Sequence, residues 1–126
     1  MLSPSSATVR LPARPDAPAK VRQSLRRACA ALPGHLLYDA ELLTSEIVSN
    51  VVKHVGGTLT VDIDFDGRNL TVAVADESPR EPVPRRPALN DIGGRGMQIV
   101  DRLAAQWGCA RLADDTGKVV WFRVVA

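Results

Sequence analysis

Two short segments, far apart in the chain, carry residue types that together suit a nucleotide. The first, Glu46-Ile47-Val48-Ser49-Asn50-Val51-Val52-Lys53-His54, reads as helical. Positions four apart fall on one helix face, so Glu46, Asn50 and His54 form a polar stripe beside an apolar one of Leu43, Ile47 and Val51. A carboxylate, an amide and a basic group are thereby aligned. The second segment, Gly93-Gly94-Arg95-Gly96-Met97, opens another helix. A glycine run at a helix start lets backbone N–H groups approach phosphate oxygens unobstructed, at the positive end of the helix dipole. It follows a loop rather than a strand, has no third glycine in dinucleotide-binding spacing and no Gly-Lys-Ser/Thr, which argues against Rossmann and P-loop sites.

The elements that must position these segments are legible from periodicity. Met1 to Ser6 read as a frayed start, and Ala7 to Leu11 as a short edge strand ended by Pro12. From Ala19 to Leu32 the apolar positions Val21, Leu25, Ala28, Cys29 and Leu32 follow helical spacing, with a solvated basic face, and Pro33-Gly34 stops the helix. A second helix is expected from an N-cap at Asp39 to the stop at Gly56-Gly57. The pattern then changes to period two. Leu59, Val61, Ile63 and Phe65 alternate with Thr60, Asp62, Asp64 and Asp66. After Asp66-Gly67-Arg68-Asn69, the residues Leu70, Val72 and Val74 do the same, which predicts a hairpin.

Between Asp76 and Gly93 no period holds, and Pro79, Pro82, Pro84 and Pro87 remove backbone donors, so a long functional loop or lid is expected. Met97, Val100, Leu103, Ala104 and Trp107 define a third amphipathic helix ending at Gly108. Strands at Cys109 to Ala113 and Val119 to Val125 flank the turn Asp114-Asp115-Thr116-Gly117. The sum is an α+β fold: a two-layer sandwich of a mostly antiparallel mixed sheet covered on one face by three helices.

Composition sets the outer limits. The 126 residues, 45% hydrophobic and 24% charged, suit one compact domain with a real core. A formal net charge of +2 and an aromatic content of 4% leave neither the electrostatic footprint nor the stacking platform of a nucleic-acid binder. No signal sequence and no apolar stretch of about 18 residues occurs, so a cytoplasmic protein without membrane attachment is expected. Cys29 and Cys109 sit in apolar patterns far apart in sequence and read as buried thiols.

In order and spacing, four segments resemble the GHKL ATPase superfamily. They are Glu46 to His54 (the N box), Asp76 at a strand end (the first glycine box), Gly93-Gly94-Arg95-Gly96 (the second) and the terminal strand Gly117-Lys118-Val119-Val120-Trp121-Phe122. The short length resembles the anti-sigma factor and serine-protein kinase branch. That resemblance covers nearly the whole chain after residue 7 and implies a Bergerat-type ATP-binding fold over residues 7–126. It further implies ATP and Mg²⁺ as cofactors, a sigma factor and an anti-sigma-factor antagonist as protein partners, and a homodimer, for which Ala7 to Leu11 offers a pairing edge.

Residue by residue, the resemblance makes Asn50 the Mg²⁺ ligand through its side-chain oxygen and Glu46, one turn earlier, the general base. Asp76 would accept a hydrogen bond from the adenine amino group. Gly94, Arg95, Gly96 and Met97 would hold the phosphates, with Lys53 and His54 beside them. Where the superfamily has Asp-x-Gly-x-Gly, this chain reads Asp76-Glu77-Ser78-Pro79-Arg80. Ser78 leaves room for a base, and Pro79 stiffens the loop. Plainer alternatives exist for each group: a solvated helix surface for Glu46, a turn aspartate capping its own backbone for Asp76, a tight helix entry for the glycines. Three functions are therefore weighed: a protein serine/threonine kinase of the anti-sigma type, a nucleotide-gated binding module without catalysis, and a structural scaffold that binds no nucleotide.

Overall fold

A computed structural model describes residues 5–77, 103–112 and 116–125. Within them the element order is β1 (Ser5–Pro12), α1 (Ala17–Ala28), α2 (Gly34–His54), β2 (Thr58–Phe65), β3 (Asn69–Asp76), β4 (Gln106–Arg111) and β5 (Lys118–Val125). The strands form one sheet in the order β1-β2-β3-β5-β4, every neighbouring pair antiparallel. Both described helices pack on the same side of it. The fold class is α+β, as the alternation and helix periods imply, and the residues 97–102 of the expected third helix lie outside the described residues.

Period-two patterning decides which side of the sheet is the core. Leu59, Val61, Ile63 and Phe65 of β2, Leu70, Val72 and Val74 of β3, and Val120, Phe122 and Val124 of β5 are all buried towards the helices. Their neighbours Thr60, Asp62 and Asp64 face the helix-free side, where Thr8 Oγ1 donates to Asp62 Oδ1 at 2.7 Å. From the helices, Ala17, Val21 and Leu25 of α1 and Ala40, Leu43, Ile47, Val48 and Val51 of α2 close the core. Burying a side chain of this size contributes roughly 1.5–3 kcal/mol each, so this interface dominates the fold's stability.

Several boundaries differ from the sequence expectation. β1 begins at Ser5 and runs through Pro12, because pairing with β2 continues from Ser5↔Phe65 to Pro12↔Thr58. A proline at a strand end on the sheet's edge costs no ladder bond. Helix α1 starts at Ala17, with Pro18 in its first turn, and ends at Ala28; Cys29 to Leu32 form a turn in which Leu32 N–H donates to Cys29 at 2.9 Å. Helix α2 starts at Gly34, not after Asp39: Pro33 is the N-cap, and its carbonyl accepts from Leu36 and Leu37 N–H at 3.0 Å each. The Pro33-Gly34 pair therefore opens α2 instead of merely stopping α1.

The last correction concerns Trp107 and Gly108. They belong to strand β4, not to the end of a helix: Trp107 lies opposite Phe122, and Gly108 opposite Trp121. A Cβ on Gly108 would stand 3.0 Å from the Trp121 indole nitrogen, so the glycine is there to make room for the ring.

Candidate functional site

Helix α2 is 21 residues long, about 32 Å, and so runs the length of the eight-residue strands beneath it. Val55, Gly56 and Gly57 alone join it to β2, a connection that reaches at most about 14 Å. Both glycines have positive φ, 75° and 72°, and the Gly57 carbonyl accepts from Ala13 N–H at 2.8 Å. This reversal puts the C-terminal end of α2 at the end of the sheet where β3 finishes, β4 finishes and β5 begins. Asn50, one turn before His54, and Asp76, the last residue of β3, are thereby brought to the same end of the molecule.

The stripe on α2 divides in two. Leu43, Ile47 and Val51 are buried against the sheet, while Glu46 and Asn50 beside them are half-buried. Among the described residues, no hydrogen bond or ion pair engages the side chain of either. A carboxylate and an amide one turn apart are thus left unengaged by the described residues. Lys53 and His54 are exposed and, as the basic groups of the last helical turn, complement the helix dipole. Ser78, Gly94, Arg95, Gly96 and Met97 lie outside the described residues.

Asp76 ends β3 with its side chain buried. It sits on the helix-facing side of β3, in phase with Val72 and Val74, directly opposite Lys118 in the register. Lys118 Nζ stands 2.8 Å from Asp76 Oδ2, with the two side chains 9% and 1% exposed. This charge pair is buried in a surface otherwise made of hydrocarbon. The contact depends on the glycine before it, since a Cβ on Gly117 would lie 2.0 Å from the Asp76 carbonyl oxygen. The next residue braces the same corner: Glu77 Oε1 accepts from Thr58 N–H at 3.0 Å.

In the sequence, Lys118 and Gly117 stand out only as part of a terminal strand. The signal that marks Lys118 is its phase, because it alternates with Val120, Phe122 and Val124 and so must point inwards. A cleft of about 370 Å³ opens at this end, lined by Arg10, Thr58, Thr60, Ala75, Asp76, Glu77, Leu112 and Thr116. Glu46 and Asn50 do not line it.

The donor chemistry suits a hard cation held mainly by its ligand. Among the described residues, no group of three or more His, Cys, Asp or Glu side chains can hold a metal. A Mg²⁺ would rest on the Asn50 amide oxygen, phosphate oxygens and water, which is the sparse protein ligation this ion favours. Cys29 is buried, and burial pushes its thiol up to about 11; Cys109 is half-buried, packed against the core. No described helix is long and apolar enough to cross a membrane.

With this geometry in place, comparison with known proteins defines the class. Residues 11–124 match the histidine kinase-like ATPase domain, and the chain belongs to that family. No curated protein matches the sequence. Among solved structures, it is similar to the crystal structure of the RsbU and RsbW domains of Rv1364c from Mycobacterium tuberculosis, with a TM-score of 0.71 at 19% identity. That match covers 94% of this chain and 31% of the other, and it establishes a shared fold.

Proposed function

We propose that the chain is an ATP- and Mg²⁺-binding regulator of the anti-sigma type, which phosphorylates a serine or threonine on an antagonist protein and sequesters a sigma factor. The observation that carries this reading is the pair Glu46 and Asn50, half-buried and without a described side-chain partner, on the helix that ends beside the buried carboxylate of Asp76. Family membership supports the nucleotide. The resemblance to the anti-sigma branch supports the protein partners, and the exposed edge of β1 suits pairing with a second copy.

In this reading Asn50 holds the Mg²⁺, which when bound neutralises phosphate charge. Asp76, with Ser78, receives the base. Gly94, Arg95, Gly96 and Met97 hold the phosphates, with Lys53 and His54 near them. Glu46 orients the substrate hydroxyl and accepts its proton as the hydroxyl oxygen bonds to the γ-phosphorus. The bond from that phosphorus to the β–γ bridging oxygen breaks, and ADP leaves with the electron pair.

The second reading, a nucleotide-gated binding module without transfer, is favoured by Ser78 and Pro79 standing where the superfamily has glycines. Incubation with γ-labelled ATP, Mg²⁺ and candidate antagonists separates the two. For the kinase, label reaches the antagonist and Glu46→Ala lowers the rate roughly 10²–10⁴-fold while ATP still binds. ATP binding with no transfer to any antagonist rejects the kinase and leaves the module. Asn50→Ala should weaken ATP binding in either case.

A further inference from the structure

Among the described ion pairs, only Lys118–Asp76 has both side chains buried; Lys20–Asp16 lies at the surface, and Arg26–Glu41 has its arginine well exposed. Folding alone does not call for it. Val74 and Val120 stand next to it on the same inward face, and apolar side chains of similar volume would fill the site at equal or lower free energy, since desolvating two charges offsets their attraction. Gly117 is nevertheless spared a side chain, which lets the two strands close and sets the lysine against the aspartate.

The chemistry of the pair is that of a two-point reader. A carboxylate offers acceptors only, and an ammonium offers three N–H donors; the two stand 2.8 Å apart as an ion pair. Side by side, they present an acceptor next to a donor in a water-poor corner where hydrogen bonds discriminate strongly. The outer edge of adenine is the complement: an exocyclic amine that donates, next to the ring nitrogen N1 that accepts. Guanine offers three groups on that edge, two of them donors, and a two-point reader leaves one unpaired at a cost.

Resting on the nucleotide reading above, we infer that Lys118 is a base-reading residue, donating to adenine N1 while Asp76 accepts from the amine. In the absence of a base, the same lysine compensates the buried carboxylate. The test compares equilibrium binding of ATP, 1-deaza-ATP (a C–H in place of N1) and GTP to the full chain and to Lys118→Met.

The wild-type chain should bind ATP roughly tenfold tighter than 1-deaza-ATP, the size of one hydrogen bond to a charged donor. Lys118→Met should bind the two alike. Equal wild-type affinities, a ratio that survives in Lys118→Met, or GTP binding tighter than ATP would each overturn the assignment and leave the nucleotide site standing. No binding of any of the three removes the inference together with the site. Should Lys118→Met fail to fold, the wild-type ratio decides alone.

Discussion

Two aspartates bracket the β3 strand's hairpin and do opposite work. Asp66, at the turn, is exposed, and its Oδ1 accepts from Arg68 and Asn69 N–H at 2.8 and 2.6 Å. Gly67, with φ 97°, completes a turn whose bonds all lie within four residues. Asp76, at the other end, is buried and meets a lysine that follows it only after the whole excursion to β4 and back. One carboxylate shapes the chain locally, whereas the other is buried and paired across strands with a distant lysine.

Three outcomes would break or sharpen this contrast. The largest effect belongs to Asp76→Ala, which leaves the Lys118 ammonium buried without its counter-charge and should cost about 3–5 kcal/mol in urea unfolding. The double variant Asp76→Leu/Lys118→Met should recover most of that loss. If the double variant is as unstable as the single one, the pair is structural and the contrast with Asp66 fails. Next in size is Gly117→Ala, whose methyl would overlap the Asp76 carbonyl; a loss of roughly 1–3 kcal/mol is expected, with weakened ATP binding because the lysine and aspartate move apart.

The smallest effect is at Asp66. The backbone N–H groups of Asn69 and Arg68 hold its carboxyl below the usual value of 3.8. A depressed folded-state value means stability that is present above the ordinary carboxylate range and lost as pH falls through the lower folded one. Asp66→Ala should therefore lower the melting temperature slightly at pH 7 and flatten its decline below pH 4. An unchanged acid limb would show that the turn bonds contribute nothing measurable.

The helix-and-strand reading of the chain was largely correct where the signal is local. The β2–β3 hairpin appears as the alternation from Leu59 to Val74 implies, and the apolar stripe Leu43, Ile47, Val51 lies buried where its spacing put it. Failures cluster at contacts between distant segments. Asp39 looked like a helix start because aspartate is a common N-cap, yet the turn from Leu36 to Tyr38 is helical because Leu36 and Leu37 pack against the core. Trp107-Gly108 looked like a helix end because glycine often is one, yet its role is to admit the Trp121 ring from the neighbouring strand.

Of the candidate site, Glu46 and Asn50 were legible because a helix repeats every four residues and needs no partner to do so. Asp76 was legible as an acid at a strand end. Its pairing was not. Amino-acid order alone determines the period-two phase that turns Lys118 inwards, since side-chain direction along a strand is a local property of the backbone. Only the tertiary structure decides that β5 lies beside β3 with Lys118 opposite Asp76, because strand order and register are settled by which apolar faces bury together.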